Sequence, residues 1–248
     1  MAGVVTLARG LYDRLPPRLK RRLAALGSRW FDIYSVKSYS QEGEDMILRR
    51  MFVGRARGFY VDVGAHHPRR FSNTFLFYCR GWRGINIEPN PDAIELFAAE
   101  RKGDTNLQLG IAAQAGTLTY YKFDEPALNT FDREMVESRL ATTSYRVAST
   151  MPVAVERLDS VLGRHLPHGT QIDFLSVDVE GLDCEVLKSN DWLRYRPTCV
   201  VVEALRETLE GAIAGETTSL MTQQGYELVA KTLNSLIFRE MPPSRAAQ

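Results

Sequence analysis

The chain has 248 residues, 44% hydrophobic and 25% charged, which suits one globular domain with a short appendage. A formal net charge of +1 gives it no bulk attraction for nucleic acid or membrane. Its three cysteines form no C-x-x-C pair, which argues against a disulfide framework or a zinc site and suits the cytoplasm.

In chain order, the first thirty residues carry Arg9, Arg14, Arg18, Lys20, Arg21, Arg22 and Arg29 against the single acid Asp13. Val4, Leu7, Leu11 and Leu15 recur at helical spacing until Pro16-Pro17, and Leu19, Leu23, Leu26 and Trp30 continue on a second helix. Residues 1–39 therefore read as a basic amphipathic helical arm. It could pack on the core, mediate homo-oligomer formation, or touch an anionic membrane or a protein partner. No run is long and apolar enough for a membrane span, and the start is too charged for a signal peptide.

From residue 40 to 248 strands and helices alternate. Ser40 is the expected N-cap of a helix that begins at Gln41 and Glu42 and carries Ile47, Leu48, Met51 and Phe52 inward. The apolar runs 58–63 and 84–87 predict buried strands, with a helix over 71–79 between them. Asn90 caps a helix with Pro91 at its first position, and Ile94, Phe97 and Ala98 face inward. Residues 107–112 predict a third strand and 117–123 an edge strand, whereas 124–149 is polar and reads as a loop or lid. A helix near 159–162, a strand at 172–177, a helix at 182–187, a strand at 199–202 and a helix at 218–224 follow. The tail, 226–230 and 235–238, predicts an antiparallel hairpin. Apolar strands joined by helices imply a Rossmann-like α/β fold: a mostly parallel seven-stranded sheet with an antiparallel C-terminal hairpin.

In such a sheet ligands bind beyond the carboxyl ends of the strands, where strand order reverses. The residues expected there are Asp62, Gly64, Ala65 and His66, then Glu88 with Pro89 and Asn90, then Gly110 and Ile111, then Asp178 and Glu180, and finally Glu203. Glu88 is placed to accept both hydroxyls of an adenosine ribose, a role shared with nicotinamide enzymes. The loop at 62–67 has one glycine where a pyrophosphate-binding turn needs three, so it suits an adenosine ligand without paired phosphates. S-adenosylmethionine fits, with its α-amino group at the acidic end of that loop.

Asp178 and Glu180 lie two apart at a strand end and could converge on one hydroxyl as a base, or on one Mg²⁺, though no metal is predicted. It stays open whether Asp178 instead takes backbone amides and Glu180 caps the next helix. His66 and His67 are the rival bases. Gln41 is assigned to the cofactor, and His67, Asn73 and Glu203 to the acceptor. Tyr120, Tyr121, Phe131 and Tyr145 could stack on a sugar or pack in the core.

Four blocks carry a family resemblance: Ser40-Gln-Glu-Gly-Glu-Asp45, Phe59-Tyr-Val-Asp-Val-Gly-Ala-His66, Gly81-Trp-Arg-Gly-Ile-Asn-Ile-Glu-Pro-Asn-Pro91 and Phe174-Leu-Ser-Val-Asp-Val-Glu-Gly181. The chain resembles the FkbM-type methyltransferases over residues 40–203. The resemblance implies a class I methyltransferase fold that uses S-adenosylmethionine. It also implies O-methylation of a sugar, glycan or other hydroxylated small molecule. His66-His67 departs from the smaller residues common in relatives. A methyltransferase fold acting as a non-catalytic partner, and an NAD-dependent oxidoreductase, are the alternatives.

Overall fold

The computed structural model describes residues 15–19, 35–205 and 208–242. The chain divides into two compact units, Met1–Ser38 and Tyr39–Gln248. Of the first, a helical turn at 17–19 is described, with the Leu19 amide donating to the Pro16 carbonyl. The remainder of the two arm helices lies outside the described residues.

The second unit is built on a seven-stranded sheet. Its strands are β1 (Phe59–Val63), β2 (Arg83–Ile87), β3 (Thr105–Leu107), β7 (Phe174–Val177), β8 (Cys199–Glu203), β9 (Tyr226–Lys231) and β10 (Ser235–Glu240). Their order across the sheet is β3-β2-β1-β7-β8-β10-β9. All pairs are parallel except those of β10, which runs antiparallel to both β8 and β9. The predicted architecture is the observed one.

Side chains alternate across this sheet with period two. Val61, Val63, Leu175, Val177, Val200 and Val202 enter one core with helix α5 (Leu158–His165) and helix α6 (Asp183–Lys188). Tyr60, Phe174, Cys199 and Val201 enter the other, with helix α1 (Glu44–Met51) and helix α2 (Phe75–Cys79). Burial on both faces explains the near-continuous apolar strands. Along β1 and β7, the next position on the face of Tyr60 and Phe174 holds Asp62 and Ser176, polar groups buried on the α2 side.

Register fixes the site. Ile87, Val63, Val177 and Val202 form one row across β2, β1, β7 and β8. The next residues, Glu88, Gly64, Asp178 and Glu203, therefore emerge together at the carboxyl edge. Strand order reverses between β1 and β7, the expected ligand crevice.

Several expectations need correction. Helix α1 starts at Glu44 behind Gly43, which takes the left-handed φ of +91°. Ser40 is therefore not the N-cap, and Gln41 and Glu42 precede the helix. The Ser40 hydroxyl instead exchanges hydrogen bonds with the side chain and amide of Asp45. Helix α2 begins at Phe75, because Phe71 sits at φ +57° and residues 71–74 turn. In helix α3 (Pro91–Glu100) Asn90 caps as expected, but Ala93 and Phe97 are the buried pair and Ala98 is exposed.

The strand expected at 107–112 is two strands. β3 ends at Leu107, and β4 (Gly110–Ile111) joins a second sheet of order β4-β6-β5. In that sheet β5 (Gly116–Phe123) is the predicted edge strand. Residues 124–149 are not an irregular lid. They contain a 3₁₀ turn (Pro126–Leu128), helix α4 (Arg133–Thr142) capped by Asp132, and the start of β6 (Val147–Glu156). The tail adds helix α7 (Leu209–Ala214) ahead of helix α8 (Glu216–Gln223).

Candidate active site

Beyond the edge row lies a cleft lined from the cores outward. Asp62, Gly64, Ala65 and His66 come from β1, Glu88 and Pro89 from β2, Gly110 and Ile111 from β4, and Ser176, Asp178, Val179 and Glu180 from β7. Gln41 and Asn73 approach from the α2 side, and Tyr120, Asn129 and Phe131 from the second sheet.

Gly64 makes the first bend. Its φ is +76°, and a Cβ there would collide with the Asp178 carbonyl oxygen. Its amide extends the ladder to Ile87, as the Asp178 amide does to Val63. The strands therefore stay bonded up to the point where the chain turns away.

Glu88 closes β2 and is 4% exposed. Its Oε2 accepts the His66 amide at 2.8 Å, its Oε1 accepts the Asn90 amide at 2.7 Å, and the Tyr120 hydroxyl approaches Oε1 at 3.3 Å. Burial pushes its pKa up to about 7, opposed by those donors. Three of its roughly four lone-pair sites are occupied, which leaves one on Oε2 for a further hydroxyl, and giving up the long Tyr120 contact would free a second. Asp62, also buried, accepts the Thr74 hydroxyl at 2.8 Å. Burial raises its pKa.

The turn after β7 is held by Asp183, whose carboxylate accepts the Val179 and Gly181 amides at 3.1 and 3.2 Å. That answers the question left open above, since neither Asp178 nor Glu180 performs the capping. Glu180, in left-handed backbone at φ +57°, pairs with the Arg139 guanidinium, and its carbonyl accepts the Thr130 hydroxyl at 2.7 Å. Among the described residues no side-chain hydrogen bond holds the Asp178 carboxylate. Burial, then its neighbours Glu180 and Asp183, raises its pKa well above the carboxylate range. Glu203 lies outside the cleft lining, but one oxygen each of Asp178, Glu180 and Glu203 falls within 4.8 Å of the others. Burial and those acids push Glu203 up to about 11.

The two histidines separate. His66, at φ +53°, lines the cleft, and its Nε2 is buried with no hydrogen-bond partner. Burial lowers its pKa to about 4, so the ring is neutral at ordinary pH. His67 is not in the lining. Its Nδ1 accepts the Arg69 and Arg70 amides, both at 3.0 Å, which commits the ring to the turn. Asn73 lines the cleft and donates to Ser176 Oγ at 3.1 Å. Asn90 caps α3 outside the cleft lining. Tyr120 and Phe131 pack against each other in the wall with tilted rings, centroids 4.8 Å apart, whereas Tyr121 and Tyr145 are not in it.

Sequence reasoning missed Asn129 and Arg139, because both come from the segment read as a lid. It also missed Ser176, a small polar residue inside an apolar strand, which was a readable signal.

The cleft lining holds Asp62, Glu88, Asp178 and Glu180 and, among the described residues, no lysine or arginine. Helix α2 starts eleven residues beyond Gly64, so no helix N-terminus opens directly onto the bend as a diphosphate site requires. The carboxylates and the neutral His66 nitrogen fit a cationic adenosine ligand and oppose a diphosphate.

A doubly wound sheet ending in an antiparallel hairpin, with a cleft of this kind at its carboxyl edge, defines a Rossmann-like methyltransferase. The chain belongs to the FkbM methyltransferase family: residues 62–228 match the methyltransferase FkbM domain. Among solved structures it is similar to a TehB-like SAM-dependent methyltransferase from Corynebacterium glutamicum, at 11% identity and TM-score 0.41 over 90% of this chain and 97% of that one. It is also similar to a precorrin-6y C5,15-methyltransferase from Geobacter metallireducens, at 11% identity and TM-score 0.41 over 85% and 94%. No curated protein matches the chain.

Proposed function

We infer that this methyltransferase uses S-adenosylmethionine to methylate a hydroxyl oxygen of a sugar, glycan or other hydroxylated small molecule. One observation carries the cofactor reading: a cleft with four carboxylates and no lysine or arginine among the described lining residues, closed by the single-glycine bend. Glu88 would hold the ribose hydroxyls, Asp62 the α-amino group, and Gln41, Ala65, Pro89, Gly110 and Ile111 would enclose the rest.

When bound, the cofactor supplies a methyl group on a positively charged sulfur. The chain's task is alignment, which contributes on the order of 7–11 kcal/mol in favourable cases, and removal of the acceptor proton. Asp178 is the base of this reading. It lines the cleft and, among the described residues, carries no side-chain hydrogen bond, whereas Glu180 is tied to Arg139. Its raised pKa brings it closer to the pH at which a base must both hold and release a proton. His66, a neutral acceptor, is the alternative base, and Asn73 and Glu203 would flank the acceptor.

The clustered oxygens of Asp178, Glu180 and Glu203 favour a second reading, in which a divalent cation such as Mg²⁺ orients the hydroxyl. Lasting full activity in chelator would remove it. No helix among the described residues is long and apolar enough to cross a membrane. A cytoplasmic location, and docking of the arm on an anionic membrane or a protein partner, rest on the cysteine pattern and the seven arm cations.

The test is incubation with methyl-labelled S-adenosylmethionine and a panel of glycans, hydroxylated natural products, amines and carboxylates. Label in a base-stable methyl ether is expected. Label confined to amines or esters would overturn the hydroxyl assignment.

A further inference from the structure

Arg101, directly after α3, is fully buried, an uncommon fate for arginine. Its guanidinium spends its donors inside the fold. Nε binds Asp104 at 2.9 Å, Nη1 the Pro68 carbonyl at 2.9 Å, and Nη2 both the Tyr60 hydroxyl at 2.9 Å and Thr74 Oγ1 at 2.8 Å. Thr74, itself fully buried, donates in turn to Asp62 Oδ2 at 2.8 Å.

The direction of these bonds is forced. A guanidinium has no acceptor, so Thr74 Oγ1 must accept from Arg101. A hydroxyl has one proton, and among the described residues its only other side-chain partner is Ser72 Oγ at 3.2 Å. Ser72 Oγ already accepts the Thr74 and Phe75 amides, so its own hydrogen is free to point at Thr74. The Thr74 proton is left for Asp62. The Thr74 proton therefore fixes Asp62 Oδ2 as an acceptor, and the buried Arg101 charge behind Thr74 opposes burial in favouring the ionised carboxyl. The same arginine grips the Pro68 carbonyl and thereby the loop leaving β1.

We propose that Arg101 and Thr74 are positioning residues that hold Asp62 as an ionised acceptor for the cofactor's α-amino group. This rests on the cofactor reading above and adds what orients its acid. Neither residue lines the cleft, so both act through Asp62.

The test compares binding of adenosylhomocysteine with that of methylthioadenosine, which keeps the adenosine and lacks the amino-acid end. In wild type, Thr74→Val and Thr74→Ser, both affinities are measured by calorimetry. Losing a hydrogen bond to a charged group should weaken adenosylhomocysteine about tenfold or more in Thr74→Val. Methylthioadenosine should be unchanged, and Thr74→Ser should restore the wild-type ratio. If Thr74→Val does not fold, Thr74→Cys, which offers only a weak S–H donor, carries the same comparison. Equal losses for both ligands, or no loss for either, would overturn the relay. Failure of the wild type itself to bind adenosylhomocysteine would overturn the cofactor reading instead.

Discussion

Glu88 accepts the backbone amide of His66 at 2.8 Å, so the acid that ends β2 clamps the loop that leaves β1. One side chain thereby sets the shape of the bend and offers its remaining lone pair to the cleft. Glu88→Ala removes both, and adenosylhomocysteine affinity should fall about 10- to 100-fold. Calorimetry reads the affinity. A far-ultraviolet dichroism spectrum should show the fold retained, because the strand ladder through Ile87 is untouched.

The bend itself tolerates no side chain. Gly64→Ala puts a Cβ against the Asp178 carbonyl in left-handed backbone and should cost on the order of 1–3 kcal/mol from strain alone. Chemical denaturation checks this. Full stability would mean that the bend can relax away from β7.

The acid cluster makes the ligand-free protein sensitive to pH in a stated direction. Glu88 and Asp183 are each raised to about 7 and Glu203 to about 11. A carboxyl whose folded pKa exceeds its unfolded one binds protons better when folded, so its contribution is present at low pH and lost as pH rises through the folded value. From Glu88 and Asp183, thermal stability should fall between about pH 4 and 7. Glu203→Gln should raise the melting temperature at pH 7, because the wild-type carboxyl must take up a proton to fold there and the amide need not. Differential scanning calorimetry across that range measures both.

Asp178→Asn should lower turnover by roughly 10²–10⁴-fold if the carboxylate is the base, with adenosylhomocysteine affinity largely kept. Because the Asp178 pKa is raised, wild-type rate should climb with pH as the group ionises, and that limb should vanish in the variant. Unchanged turnover would pass the role to His66.

The core strands were legible because burial on both faces writes itself as near-continuous apolar runs at 59–63, 174–177 and 199–203. Legible too were the acids that follow them, since parallel strands must end at one edge. The 124–149 segment was not. β6 is exposed along most of its first half and pairs with β5 far back in the chain, so neither period nor apolarity marks it. α4 buries Val136 and Arg139 alone, too little for an apolar stripe. Arg101 was invisible for a related reason: a charged residue after a helix reads as surface until its partners are known. His67 looked equivalent to His66 in sequence, and only backbone geometry separates a ring in the cleft from one bound to Arg69 and Arg70.

The most direct measurement is thermal unfolding of the full chain with adenosylhomocysteine and, separately, with NAD. An adenosine cradle without provision for paired phosphates requires stabilisation by the first, about 2.7 kcal/mol at one hundred times its dissociation constant, and none by the second. A melting temperature raised by NAD and unmoved by adenosylhomocysteine would contradict it.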